Sequence, residues 1–315
     1  MELIRSIRLK NVRSQFWPKL KKACFNLIRW VLILGICYII IYPLLTKISS
    51  SFMSQRDLFD KTVQWIPRFF TFDNYTMVFE QLKYPEAFLN SFILALLVSL
   101  LQLFSCTLIG YGFARFDFKG KRLLFGLVIF TLIVPPQMIM IPMYLNFRYF
   151  TLFGLIPGGI NLLGTFWPFI LTSITGTGLK NGLFIFIMRQ FFKGMPRGLE
   201  EAAYVDGAGP LRTFFKIMLP GAIPALVIVF LFSFVWQWND FFLTNIYLGN
   251  ETVLPMMLHG LKYNVEAVLD QPISTQYASL LNNTGSLMFM APLLLLYAFM
   301  QKYFVESIER TGLVG

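Results

Sequence analysis

Residues 87–113 contain no Asp, Glu, Lys, Arg or His. Such a stretch exceeds the roughly 20 apolar residues that carry a helix across the hydrocarbon of a bilayer. In lipid the backbone amides find no water, so a stretch of this kind must satisfy them internally, as a helix. Apolar runs with basic residues only near their ends, Arg29 and Lys47 in 27–48 and Lys302 in 286–304, occur as well. Composition agrees, with 56% hydrophobic and 14% charged residues, where soluble domains carry about 25% charged residues. The expected fold class is an all-α integral membrane protein.

Six transmembrane spans are expected. Span one is 27–48, with a kink at Pro43; span two is 87–113. Span three is 123–145, and its Pro135, Pro136 and Pro142 require a bend, because proline removes a backbone donor. The fourth region holds two apolar pieces, 160–174 and 183–192, around the break TGTGLKNG at 175–182. Each piece alone is too short to cross. They form either one traverse with a glycine-rich break, or a loop-anchored piece beside the real span. Broken helices occur where backbone lines a cavity. Span five is 223–247 and span six 286–304. Between them lies a loop at 248–282, with the amphipathic piece VLPMMLHGLKYNVEAVL and with His259 as a loop residue. The organisation expected is a basic amino-terminal segment at 1–29, a six-span domain at 30–304 and a tail at 305–315.

Charge placement orients the spans. The chain has 27 Lys and Arg against 16 acids. Six crossings put both termini on one side. The segments on that side, 1–29, 114–122, 189–216 and the carboxy-terminal end from Lys302, hold 19 of the 27 bases. Cytoplasmic loops carry such an excess, so both termini are expected in the cytoplasm of a bacterial inner membrane, with residues 1–29 against anionic lipid. The amino terminus does not read as a cleaved signal peptide. No separate basic domain stands out, so nucleic acid is not an expected partner. Cys24, Cys37 and Cys106 have no CxxC spacing and read as small apolar residues. There is no GxxxxGK[ST], HExxH or GxSxG. No catalytic residue, bound cofactor or metal site is expected of this chain, and an enzyme is disfavoured.

One polar stretch interrupts the apolar pattern, FFKGMPRGLEEAAYVDGAGPLRTFFKIMLP at 191–220. Pro196 breaks a helix, and Leu199 to Val205 restart one with Glu200 and Glu201 in the first turn, where negative charge suits the helix dipole. Ala202 and Ala203 leave a smooth surface for another helix. Gly207 and Gly209 permit a sharp turn at positive φ, and Pro210 opens the next helix. Leu211, Phe214, Phe215 and Met218 recur at helical spacing as one apolar face. Pro220 and Pro224 mark entry into span five. By composition alone, this is either an interfacial loop capping two spans or a surface offered to a partner.

The spacing is more specific than the composition. EAA at 201–203, then three residues, Gly207, nine residues, and Ile217-x-Leu219-Pro220 resemble the signature of the membrane subunits of binding-protein-dependent ABC importers. The layout is similar to the maltose-type, MalG-like carbohydrate permeases. The stretches NSFILALLVSL (90–100), GYGFARFDFKGK (110–121), IMRQFFKGMPRGLEEAA (187–203), FVWQWNDFFL (234–243) and the carboxy-terminal QKYFVESIERTGLVG support it. The resemblance implies a type I importer fold of six spans. It implies a coupling helix, in a loop at about 194–220, seated in a groove of an ATPase dimer that binds the ATP and Mg. Glu200, Glu201, Ala202, Ala203, Asp206, Gly207, Leu219 and Pro220 would make that coupling. It implies a second, MalF-like permease subunit and an extracellular solute-binding protein. The break at 175–182 is longer than the family pattern, and Glu306, Glu309 and Arg310 depart from its small, basic tail.

Candidates for the solute pathway are Asp240, Asn239, Gln237, Gln102 and Gln137. Asp240 is the one acid inside an expected span; it faces the interior or ends span five in the water interface. Trp236 and Trp238 are expected as packing or interface aromatics. Alternatives to a carbohydrate are another solute, such as glycerol phosphate, on the same architecture, or a stand-alone secondary carrier. A proton-driven carrier needs no EAA loop and uses more charges within its spans.

Overall fold

The computed structural model describes the backbone of residues 2–312 except 61, 64, 153, 179 and 250, and the side chains of 21–302 except those five and 136. The helices are α1 (Glu2–Ser51), α2 (Gln55–Phe59), α3 (Asp73–Gln81), α4 (Tyr84–Arg115), α5 (Lys121–Ile133), α6 (Pro136–Arg148), α7 (Trp167–Ile174), α8 (Asn181–Gly194) and α9 (Gly198–Val205). Then follow α10 (Pro210–Thr213), a π-helical turn at Phe214–Met218, α11 (Leu219–Gly221), α12 (Ile223–Trp238), α13 (Phe242–Leu248), α14 (Leu254–Leu269) and α15 (Thr275–Gly312). Among the described residues the only β-pairing is two isolated bridges, Met53 with Phe70 and Phe150 with Ile160. The all-α expectation stands.

Three helices are long and apolar enough to cross a membrane: Lys21–Ser51 of α1, α4, and Thr275–Lys302 of α15. Two more crossings arise if each bent pair counts as one, Lys121–Ile133 with Gln137–Arg148 (105°) and Pro210–Gly221 with Ile223–Trp238 (75°). The described residues therefore supply three to five spans where the sequence suggested six. The fourth region is the shortfall. With 8 residues in α7 and 14 in α8, neither spans about 30 Å at 1.5 Å per residue. Pro43 does not interrupt α1; Thr46 Oγ1 donates to the Pro43 carbonyl at 2.9 Å. Span five stops at Trp238 rather than residue 247, and α13 is a separate helix. His259 is helical, in α14, with its ring 4.4 Å from that of Phe241. The backbone of the tail is helical as far as Gly312; the side chains from 303 onward, and so the expected tail contacts, lie outside the described residues.

The chain divides into two compact units, residues 1–75 with 274–287 and residues 76–273 with 288–315. In the first, α1 is exposed on every face from 21 to 43, as suits an all-round apolar helix in lipid. At its far end Phe52 stacks on Phe70 at 4.6 Å, and Asn74 Nδ2 donates to the Ser51 and Met53 carbonyls at 2.9 and 2.8 Å.

In the second unit α4 is the hub, packed against α7, α8 and α12. Gly110 lets α8 approach closely. A Cβ there would lie 2.6 Å from Met188 Cβ and 2.9 Å from the Arg189 nitrogen. Close packing of this kind holds helices together in lipid, where burying apolar surface gains little. Tyr111, Met188, Phe192, Phe214 and Met218 fill one core at this end of α4.

Candidate functional site

The loop of 194–220 begins where Pro196 stops α8. Met195, just before it, is extended at φ −71° and ψ 141°, as pre-proline residues prefer. In α9, Gly198, Glu201, Ala202 and Val205 recur at spacings of three and four, and all are exposed. On the opposite face Glu200 and Ala203 are buried. The two halves of the EAA signature are thus divided. Glu201 and Ala202 face outward with Val205, while Ala203 is already covered by the chain itself.

Glu200 anchors the helix to α4. Tyr111 donates its hydroxyl to Glu200 Oε1 at 2.7 Å. Arg115 Nε lies 3.1 Å from Glu200 Oε2, with the two side chains 7% and 10% exposed. The Nε–H is not aligned on the carboxylate, so the pair is an electrostatic contact. Arg115 Nη2 instead donates to the Met195 carbonyl at 2.8 Å. One guanidinium therefore holds both the proline break and the first turn of α9. In the adjoining turn, the hydrogen bond from Lys121 and its charge, with a weaker contribution from Arg197, hold the Asp117 carboxyl below the usual range.

The other end of α9 closes as a Schellman motif. The Ala208 nitrogen donates to the Ala203 carbonyl at 2.9 Å and the Gly207 nitrogen to the Tyr204 carbonyl at 3.0 Å. Gly207 has φ +80°, the left-handed conformation that this motif requires. Gly209, expected to share it, is extended at φ −74° and ψ 167°. Asp206 is exposed at the cap. Pro210 opens α10 as expected. The expected single apolar face does not form: Phe214 and Met218 are buried, but Leu211 and Phe215 are exposed. The four residues form two strips, each with a spacing of four, exposed Leu211 and Phe215 and buried Phe214 and Met218, and the second strip lies in a π-turn in which the Leu219 nitrogen donates to the Phe214 carbonyl five residues back. Leu219 is half-buried and Pro220 exposed.

Elsewhere in this unit lies a cavity of about 300 Å³. Gln102, Gln137, Gln237 and Asp240 all line it, while Asn239 does not. Asn239 is exposed and donates to the Val235 carbonyl at 2.7 Å. Asp240 sits in the break between α12 and α13, and its Oδ2 accepts from the Thr244 nitrogen at 3.0 Å and hydroxyl at 3.2 Å. Ser233 donates its hydroxyl to Gln102 Oε1 at 2.5 Å. Trp236 lines the cavity, stacked on Phe184 at 5.6 Å, with Lys180 Nζ 4.9 Å from its ring centroid. Trp238 is buried and donates to the Phe289 carbonyl at 3.2 Å. Both tryptophans pack.

The glycine-rich break forms part of the cavity wall. The Thr172 carbonyl accepts from the Thr177 and Gly178 nitrogens, both at 3.0 Å. Ser105 Oγ donates to the Ser173 carbonyl at 2.6 Å. Carbonyls freed by interrupting the helix are thereby satisfied within the protein. Gly176 has φ +71°, and a Cβ on Gly178 would lie 3.4 Å from Gln102 Nε2. No group of three or more His, Cys, Asp or Glu gathers among the described residues.

Sequence reasoning missed Lys180 and Ser233 in the cavity, and Arg115 and Tyr111 beneath the loop. Tyr111 and Arg115 are four apart, so a shared helix face was legible; the carboxylate they meet was not.

Residues 106–310 match the model of the binding-protein-dependent transport system inner membrane component family. The chain belongs to this family. It is 30% identical over 303 residues, 94% of this chain and 100% of the relative, to the arabinooligosaccharides transport system permease protein AraQ of Halalkalibacterium halodurans. It is 29% identical to the maltodextrin transport system permease protein MdxG of Bacillus subtilis, over 88% of this chain and 92% of that one. Its fold is similar to that of a chain in the crystal structure of a bacterial ABC transporter involved in import of the acidic polysaccharide alginate. The TM-score is 0.66 at 22% identity, covering 89% of this chain and 96% of that one. The permease is an integral membrane transport component, not an enzyme, and it works with an ATP-hydrolysing subunit and a binding protein.

Proposed function

We propose that this permease forms, with a second, MalF-like permease subunit, the membrane pathway of a carbohydrate importer. An extracellular binding protein delivers the solute. Both termini and the loop of 194–220 face the cytoplasm, where α9 seats in a groove of the ATPase dimer. The observation that carries this reading is the division of α9. Its outer face of Glu201, Ala202 and Val205 is exposed, with Val205 87% exposed, while Glu200 fastens its inner face to α4. A small, partly apolar surface on a rigid mount suits a docking element that must transmit movement. ATP binding would close the ATPase dimer, carry α9 with it and bias the spans between two states, which requires different contacts in each. The carbohydrate assignment draws on the arabinooligosaccharide and maltodextrin permeases among the relatives.

Affinity purification of the tagged chain tests the assembly. It should bring down an ATPase and a second permease, and the reconstituted complex should import a saccharide only with ATP and the binding protein. Import by the purified chain alone would overturn the reading. Gly207→Val gives a second expected result. A β-branched residue at φ +80° costs about 1–2 kcal/mol and disrupts the Schellman closure. Nothing lies within 4 Å of a Cβ there, so the fold tolerates the volume. Membrane insertion should be unchanged in a membrane-fraction blot, while solute-stimulated transport falls about tenfold.

A further inference from the structure

The cavity carries one cation and one anion, and their arrangement bears on which solutes it accepts. Lys180 and Asp240 both line it. Among the described residues no ion pair joins them. Asp240 is oriented instead by Thr244, which donates to its Oδ2 from both the backbone nitrogen and the hydroxyl, and its carboxylate lines the cavity. The ammonium of Lys180 lies over Trp236 and retains its donors, because a ring face takes up no proton. Gln102 accepts from Ser233 through Oε1, which leaves its amide nitrogen to donate. Gln237 Nε2 is buried with no partner. The wall thus presents donors and one fixed carboxylate acceptor with no net charge.

We propose that this cavity is a solute subsite of the permease itself, selecting neutral, hydroxyl-rich molecules over carboxylated ones, with Asp240 as the excluding group. This rests on the transport reading above. A sugar hydroxyl both donates and accepts, so one solute hydroxyl bonds the Asp240 carboxylate while another accepts from Gln237 or Lys180. A uronate carboxylate brings acceptors alone. It gains from Lys180 but cannot bond an ionised Asp240, and like charges in one confined site repel. About 300 Å³ is at the lower end of small-molecule sites, which suits a short saccharide unit rather than a long chain. Trp236 is not a sugar platform, because Lys180 and Phe184 flank its ring. Of the other aromatic residues that line the cavity, Phe169 and Tyr247 are buried and Phe242 is 62% exposed, which makes Phe242 the more accessible aromatic surface.

The test is titration calorimetry on the intact permease–ATPase complex in nanodiscs, without the binding protein, using arabinotriose, maltotriose and an alginate trisaccharide. Wild type should bind at least one neutral trisaccharide more tightly than the acidic one. Asp240→Asn should shift the acidic-to-neutral affinity ratio toward the acidic sugar by about tenfold or more, and Lys180→Gln should shift it the other way. Basal ATP hydrolysis by each variant complex shows that it has assembled. An unchanged ratio in Asp240→Asn, preference of the wild type for the alginate trisaccharide, or no binding of any probe by an ATP-hydrolysing complex would each overturn the proposal and leave the importer reading standing. Failure of the chain to associate with an ATPase would overturn the importer reading first.

Discussion

Glu200→Ala should leave the assembled importer hydrolysing ATP while transport falls about a hundredfold. The substitution removes the Tyr111 hydrogen bond at 2.7 Å and the Arg115 contact at 3.1 Å. It also strands a guanidinium whose side chain is only 7% exposed. Removing one partner of a buried pair costs about 3–5 kcal/mol, more than two powers of ten in the population of the seated helix. The remaining attachments of α9 are its chain connections, buried Ala203 and its packing against α10 and the π-turn, none of which is a buried ion pair. The helix would still meet the ATPase but would no longer carry α4 with it. The measurement is the ratio of solute imported to ATP hydrolysed in proteoliposomes, with hydrogen exchange across 198–208 as the structural readout. Exchange there should accelerate about a hundredfold while the α4–α8 core stays protected. The charge swap Arg115→Glu with Glu200→Arg should recover part of the coupling. An unaltered transport-to-hydrolysis ratio in Glu200→Ala would show that α9 does not act through this anchor.

Gly110→Leu should fail at an earlier stage. Its Cβ would sit 2.6 Å from Met188 Cβ and 2.9 Å from a backbone nitrogen of α8. No flexible side chain can yield there, so the helices must separate at their closest approach. Overpacking of this kind costs about 1–3 kcal/mol or more, and the loss falls on the core that holds Tyr111 beneath the loop. The expected result is a lower midpoint in thermal unfolding and a poorly monodisperse protein in detergent. Two residues along the same helix, Gly112 has nothing within 4 Å of a Cβ. Gly112→Ala should therefore be neutral or stabilising, by up to about 1 kcal/mol from helix propensity. Equal effects at the two sites would rule out the close contact as the cause.

The helical class was legible because lipid permits few alternatives to an uncharged stretch such as 87–113. The bend of the third region was legible because Pro135 and Pro136 leave no other continuation, and the chain turns by 105° there. Gly207 was legible because a helix end followed by a reversal needs a left-handed residue. Gly209 and the face of Leu211 and Phe215 were misread for related reasons. The glycine is simply extended, and a π-turn follows α10, which no local propensity announces. Span five was read too long because apolar residues resume at Phe241 after only Asn239 and Asp240, and hydropathy averaged over a span does not register so short a polar break between two apolar helices.

Local chemistry, then, was enough to place the polar loop, its helix and its internal turn at Gly207, because caps, prolines and helical period act within a few residues. The same local chemistry could not join Glu200 to Arg115, or bring Lys180 to the cavity that Asp240 lines. Those pairings connect residues about 85 and 60 positions apart, and in a bundle whose apolar faces are nearly interchangeable only side-chain packing selects which of them meet.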